Sequence, residues 1–283
     1  MTKRKSRTHI DAVPVGDRCV GGGYPLMVIA GPCVVEDVGL CVEIANEIKV
    51  VTQRLGLSYV FKASYDKANK TIAGSYRGPG QARGIAALAK VKADTGVLIT
   101  TDVHEISQCS QVAEVADILQ IPALLSKQID LIKAAAATGK VINIKKGQFT
   151  APWEMRNVLS RLSEEGYKNI IQTDRGYMFG YNTLVSDMRA LQIMSNVGKP
   201  VIYDVSHSVH GNETILTGSS FKHRDFIAPL ARSAVANGVD GLFMEVHPDP
   251  DNALSDSAGT LDLADVEQLL RTSVAIDDAV ERN

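Results

Sequence analysis

The chain has 283 residues, a formal charge of −2 and a hydrophobic fraction of 45%, with aromatics at 5%. A balance this close to neutral excludes a broad basic surface made for nucleic acid, so any anion-binding function has to rest on a local cluster of cations. No apolar run approaches the length that spans a bilayer. The four cysteines, Cys19, Cys33, Cys41 and Cys109, form neither a CxxC pair nor a dense framework, which points to reduced thiols and a cytoplasmic location.

In chain order, the basic opening Met1–Arg7 is followed by no apolar segment and reads as a frayed tail, not a secretion signal. The stretch Ile10–Tyr24, with Gly21-Gly22-Gly23, is expected to form a hairpin. Short runs rich in Val and Ile then recur: Met27–Gly31, Ser58–Ala63, Val97–Val103, Asp117–Pro122, Val141–Lys146, Asn169–Thr173, Pro200–Val205 and Gly241–Val246. Their near-continuous apolar character is that of strands buried on both faces. Between them lie stretches of helical period. Val38, Cys41, Ile44, Ala45, Ile48, Val51 and Leu55 step by three and four, as do Leu261, Val266, Leu269, Leu270 and Val274 near the end.

Eight strand–helix alternations predict an α/β chain, either a (β/α)8 barrel or a large doubly wound sheet. The count of eight favours the barrel, and so does the lack of a GxGxxG after the first strand. The predicted fold is a (β/α)8 TIM barrel whose N-terminal β-hairpin closes the floor, as a single domain over residues 1–283. Three strand-to-helix connections are long: Ser64–Gly80, Ser206–Arg224 and Pro248–Thr260. Loops of that length in a compact domain are usually functional, and in a barrel these loops build the active-site face.

The strand ends concentrate chemistry. Lys62 ends the second strand, with Lys67, Asn69, Lys70 and Arg77 in its loop. Asp102 and His104 end the third, Gln120 and Pro122 the fourth with Lys127 nearby, Lys145 and Lys146 the fifth, and Asp174 and Arg175 the sixth. Converging cations at one barrel mouth call for an anion, and phosphate is the usual one. A second set, Cys33, His207, Glu245 and Asp256, follows strands one, seven and eight, which are neighbours once a barrel closes. A thiolate, an imidazole and two carboxylates suit Zn, Fe, Mn or Co better than Mg or Ca. Spacing alone leaves two readings open: a metal site, or a core thiol beside a satisfied loop histidine.

Several motifs together resemble a known family. These are Gly31-Pro32-Cys33, the run Phe61–Lys70 (Phe-Lys-Ala-Ser-Tyr-Asp-Lys-Ala-Asn-Lys), Ser75–Gly80, Thr101–Glu105, Gln120–Asp130, Asn143–Phe149, Thr173–Tyr181, Asp204–His207 and Glu245–Asp256. The pattern is similar to that of the 3-deoxy-octulosonate-8-phosphate synthases, in their metal-dependent branch, where a cysteine follows the first strand. The resemblance implies condensation of phosphoenolpyruvate with arabinose 5-phosphate in lipopolysaccharide precursor synthesis. A related condensation using erythrose 4-phosphate is the alternative. Carried over by position, Lys62, Lys67, Lys145 and Arg175 would hold phosphoenolpyruvate, while Asn69, Lys70, Asp102, Gln120 and Pro122 would line the sugar-phosphate side. Lys127 would act near a neighbouring subunit's site. Cys33, His207, Glu245 and Asp256 would hold a divalent metal (Zn, Fe, Mn or Co). Lys62, Lys67, His207 and Asp256 would be catalytic, in a cytoplasmic homotetramer with no nucleic-acid or membrane partner. The family usually has Arg where this chain has Lys70 and Lys127; lysine keeps the charge but loses the planar two-pronged fork.

Overall fold

Side chains branched at Cβ are stiff about χ1 and favour extended backbone, and all eight Val- and Ile-rich runs form strands. The computed structural model describes residues 9–178, 180, 183–211 and 223–280. The basic opening Met1–Arg7 and much of the Ser206–Arg224 connection lie outside these. The barrel strands are β3 (Met27–Gly31), β4 (Ser58–Lys62), β5 (Leu98–Asp102), β6 (Ile118–Ile121), β7 (Val141–Lys145), β8 (Ile170–Asp174), β9 (Val201–Asp204) and β10 (Gly241–His247). Every neighbouring pair is parallel, and β10 pairs with both β9 and β3, which closes the barrel. Gly241 sits at that seam, where a Cβ would stand 2.4 Å from the Met27 carbonyl oxygen and 2.7 Å from Ile202 Cδ1.

The described helices are α1 (Val38–Arg54), α2 (Gln81–Thr95), α3 (Cys109–Ala113), α4 (Ile129–Ala136), α5 (Met155–Glu164), α6 (Met188–Ser195), α7 (Ile227–Ala236) and α8 (Val266–Ala279). Helix α1 buries Cys41, Ile44, Ala45 and Ile48 of the expected stripe, and the Asp37 side chain caps it by accepting from the Leu40 N–H. The last stripe starts later than its periodicity implies. Leu261–Asp262 forms a short strand, β11, pairing with Val246 and His247, and α8 begins only at Val266. None of these helices is long and apolar enough to cross a membrane.

The expected hairpin forms from β1 (Val13–Val15) and β2 (Arg18–Val20). Its Val13, Val15 and Val20 pack with Met27, Ile29, Val60, Ile118, Val141, Ile171, Ile202 and Phe243 inside the barrel. The hairpin therefore closes the floor, and these interior aliphatics support everything above them. A second apolar layer fills the space between strands and helices. Ile29→Ala, which empties part of the fully buried interior, is expected to cost about 2–5 kcal/mol of stability, read from the urea midpoint at unchanged m-value.

Candidate active site

Side chains alternate in direction along a strand, so the interior aliphatics fix which residues share their face two positions on. Val60 leads to Lys62, Ile118 to Gln120, Val141 to Asn143 and Lys145, Ile171 to Thr173, Ile202 to Asp204 and Phe243 to Glu245. The barrel interior thus changes from apolar at the floor to polar and charged at the C-terminal ends of the strands. All seven of these upper residues are buried. Gly31 lets β3 approach β4 here, since a Cβ would lie 2.2 Å from the Lys62 carbonyl oxygen.

At this end the structure opens a cavity of about 400 Å³ lined by Lys62, Lys67, Lys145 and Arg175. Asn69, Asp102, Gln120, Pro122 and His207 line it as well, so nine expected site residues share one space. Lys62 donates to a Glu245 carboxylate oxygen at 2.7 Å and to the Cys33 carbonyl at 2.9 Å. Lys67 Nζ lies 3.6 Å from the same Glu245 oxygen. Lys145 donates to Asp204 at 2.5 Å and rests 3.6 Å above the Phe243 ring. Burial pulls the Lys145 ammonium below its ordinary range, with Asp204 opposing.

Arg175 stands apart from the lysines. It is 9% exposed, and no hydrogen bond or ion pair reaches its guanidinium among the described residues. Burial lowers its affinity for the proton, countered from a distance by Asp204, Asp256 and Asp174. A buried cation without a contact partner is costly. An anion entering the cavity would relieve that cost.

Beside the cavity, ligand atoms of Cys33, Glu245 and Asp256 lie within 4.8 Å of one another. His207 Nε2 is 3.7 Å from Glu245 and 3.9 Å from Asp256. Two observations show that this set fits a metal. The Oε2 oxygen of Glu245 is buried and has no hydrogen-bond partner among the described residues. His207 Nδ1 is 2.8 Å from Asp204, which also accepts from the Ser206 and His207 N–H groups. Burial holds the imidazole below its ordinary pKa against the pull of Asp204. The neutral ring then donates from Nδ1 and leaves the Nε2 lone pair for a ligand, the arrangement carboxylate–histidine pairs supply at metal sites. Burial and the neighbouring Glu245 push the Cys33 thiol up to about 12, and it donates to Ser255 Oγ at 3.2 Å. Asp256 has φ 55, the sole positive φ outside glycine among the described residues. Such backbone is often held at functional sites. His210 Nε2 lies 2.8 Å from the other oxygen of Asp256.

Lys70, Arg77 and Lys127, the last expected near a neighbouring subunit's site, lie outside this cavity's lining. Lys70 is exposed and outside the cavity lining. Lys127 is exposed and donates to Glu154 at 3.2 Å. Arg77, counted among the loop cations, forks onto Asp66 at 3.0 and 2.8 Å. Reading along the chain named Asp204 only within the stretch Asp204–His207 and gave it no role, yet it contacts both Lys145 and His207. Its signal was the Asp-x-x-His step after the seventh barrel strand. Lys146, named with Lys145 at the end of the fifth strand but given no role there, is fully buried; it lies 3.3 Å from Asp174 and 3.7 Å from the Tyr177 ring centre and donates to the Gly147 and Gly176 carbonyls. Lys146 ties together the loops that follow Lys145 and Arg175.

The sequence profile of the DAHP synthetase I family matches residues 5–282. A 2-dehydro-3-deoxyphosphooctonate aldolase from Desulfotalea psychrophila is 49% identical over 267 residues, covering 94% of each chain. Proteins of the same name from Syntrophotalea carbinolica and Fusobacterium nucleatum are 49% and 48% identical, each covering 96% of this chain and 98% of the relative.

The unpaired guanidinium gives a prediction of its own. Arg175→Met should raise the unfolding midpoint of the ligand-free protein by roughly 2–4 °C, the size that a gain near 1 kcal/mol produces in a domain of a few hundred residues. The same change should remove most of the midpoint rise that millimolar inorganic phosphate gives the unaltered protein. Phosphate stabilisation that survives the substitution would rule Arg175 out as the anion's partner.

Proposed function

Because the chain belongs to the DAHP synthetase I family, we propose that it is a 3-deoxy-8-phosphooctulonate synthase, condensing phosphoenolpyruvate with arabinose 5-phosphate and water to give 3-deoxy-D-manno-octulosonate 8-phosphate and inorganic phosphate. The observation that carries this reading is the convergence of Lys62, Lys67, Lys145 and Arg175 on one cavity that also presents Asp102 and Gln120. Four cations in a single buried space suit a substrate with both a phosphate and a carboxylate. The polar pair on β5 and β6 suits the hydroxyls of a sugar.

In this reaction C3 of phosphoenolpyruvate attacks the sugar aldehyde carbon, forming the new C–C bond while the aldehyde oxygen takes up a proton. Positive charge develops at C2, water adds there, and phosphate leaves. Lys62, Lys67, Lys145 and Arg175 orient the first substrate and answer the charge of the departing phosphate. Asn69, Lys70, Asp102, Gln120 and Pro122 form the sugar-phosphate side, Lys70 from the exposed rim. In this reading Asp256 takes or gives the moving protons, and His207 does so only where its Nε2 is not bound to a metal. A divalent metal (Zn, Fe, Mn or Co) held by Cys33, His207, Glu245 and Asp256 would supply Lewis-acid polarisation of the aldehyde or of a water. Lys62 and Lys67 beside Glu245 offset the negative charge of that ligand set.

The family description also admits a seven-carbon product from erythrose 4-phosphate, but the relatives named above carry the eight-carbon name. A cytoplasmic homotetramer belongs to the same reading. Its supports are the free thiols and the exposed Leu124, Phe149, Trp153 and Met178, which follow β6, β7 and β8 around the mouth.

Phosphate release from phosphoenolpyruvate should require an aldose phosphate, and arabinose 5-phosphate should outperform erythrose 4-phosphate by at least about 100-fold in kcat/KM. If neither aldehyde drives release with Mn, Co or Zn supplied, the assignment fails. Lys145→Met should lower kcat by about 10²–10³, measured at saturating substrate. Stripping with a chelator should abolish turnover and added Mn, Co, Fe or Zn should restore it; full rate in metal-free protein would sink the metal proposal.

A further inference from the structure

Across the upper interior of the barrel runs a line of hydrogen bonds that crosses four adjacent strands and the end of a fifth. Thr173 Oγ1 on β8 donates to Asn143 Oδ1 on β7 at 2.7 Å. Asn143 Nδ2 donates to Gln120 Oε1 on β6 at 3.2 Å, and Gln120 Nε2 donates to Asp102 Oδ1 on β5 at 2.5 Å. Ser64, just past β4, donates its hydroxyl to the other Asp102 oxygen. All five side chains are buried. Asp102 and Gln120 face the cavity, whereas Asn143 and Thr173 do not line it.

The direction of this line is forced. Burial pushes the Asp102 carboxyl up, but Lys62, Lys67 and His104, with the Ser64 hydroxyl, overcome that and hold it well below the usual carboxylate range. As an anion it can only accept, so Gln120 must turn its NH2 toward it. Gln120 then presents its carbonyl to β7, which needs a donor there, so Asn143 must turn its NH2 to Gln120. Asn143 in turn presents its carbonyl to Thr173, whose hydroxyl has to donate. Rotating either amide would set two carbonyls, or a carbonyl and a carboxylate, face to face between buried side chains, breaking the hydrogen bonds that pair them.

We propose that Asn143 and Thr173 are positioning residues that act through Gln120, fixing the orientation of the Gln120–Asp102 pair that receives the hydroxyls of the polyhydroxylated aldose substrate. The proposal rests on the function proposed above for which substrate occupies that side. It assigns the two residues no contact with either substrate. The line makes no hydrogen bond to Lys62, Lys67, Lys145 or Arg175 and reaches Lys62 and Lys67 only through the charge of Asp102, so its main effect falls on the sugar.

Three substitutions test this. Thr173→Val keeps the shape and deletes the donor; Asn143→Asp keeps the acceptor for Thr173 and deletes the donor to Gln120; Thr173→Ser restores the hydroxyl. Thermal midpoints identify the folded variants. Thr173→Val and Asn143→Asp should each lower kcat/KM for arabinose 5-phosphate by about 10-fold or more, with KM for phosphoenolpyruvate within about twofold of the unaltered enzyme, and Thr173→Ser should recover most of the loss. An equal effect on both substrates, or equal behaviour of the valine and serine variants, overturns the proposal. A crystal structure of the Thr173→Val protein decides the placement whatever the chemistry: a rotated or displaced Gln120 amide supports it, and an unmoved one overturns it. An unaltered enzyme that turns over no aldose phosphate would instead defeat the function, leaving the crystallographic result to stand alone.

Discussion

Charge buried in the mouth of the barrel has to be answered inside it, and most of this structure follows from that constraint. Lys62 of β4 pairs with Glu245 of β10, passing over β3. Lys145 of β7 pairs with Asp204 of β9, passing over β8. Each pair spans an intervening strand, so backbone pairing and ion pairing fix the same ring in two ways. Taking one partner from a buried pair typically costs about 3–5 kcal/mol, so these residues are bound to each other as tightly as to any reaction. Phe243 lies below both lysines, its ring centre 3.6 Å from Lys145 Nζ and 5.4 Å from Lys62 Nζ. Beside this nearly balanced set, Arg175 lines the same cavity with no ion pair to its guanidinium among the described residues.

The loops carry the remaining functional groups, and each is tied down at a few points. Glu36, beyond β3, accepts from the Leu254 N–H at 3.0 Å and lies 3.7 Å from His247 Nε2. That clamp holds the Asp256 loop against the Cys33 loop. Lys67 N–H donates to the Arg77 carbonyl at 2.7 Å, closing the loop after β4 on itself. The left-handed backbone at Asp256 is held by these neighbours, and it aims the carboxylate at Cys33 and Glu245. Rigid strands set the cations, and clamped loops set the donor atoms around Cys33.

Much of this was legible along the chain. The eight strands appeared as apolar runs because both of their faces are buried, one by the barrel interior and one by the helices. The cations and the cysteine stood out because they follow such runs directly. Asp204 was less legible, since an aspartate after a strand is ordinary until its partners are known. Lys146 was named beside Lys145, but its direction was not legible: in a Lys-Lys pair the period of two sends one side chain into the cavity and the other toward Asp174 and Tyr177. Leu261 fitted a helical stripe and became a strand, because β10 runs on to His247 and offers it an edge.

The sequence by itself determined the barrel, its floor hairpin and the end at which chemistry gathers, because these depend on local period and on the burial each strand demands. The tertiary structure alone decided that, among the described residues, the buried Arg175 guanidinium has no ion pair while Lys62 and Lys145 do. It also decided the tautomer of His207 and the direction of the amide line from Thr173 to Asp102. Those are set by distances between groups far apart in the chain, and such distances exist only once β10 has met β3 and closed the ring.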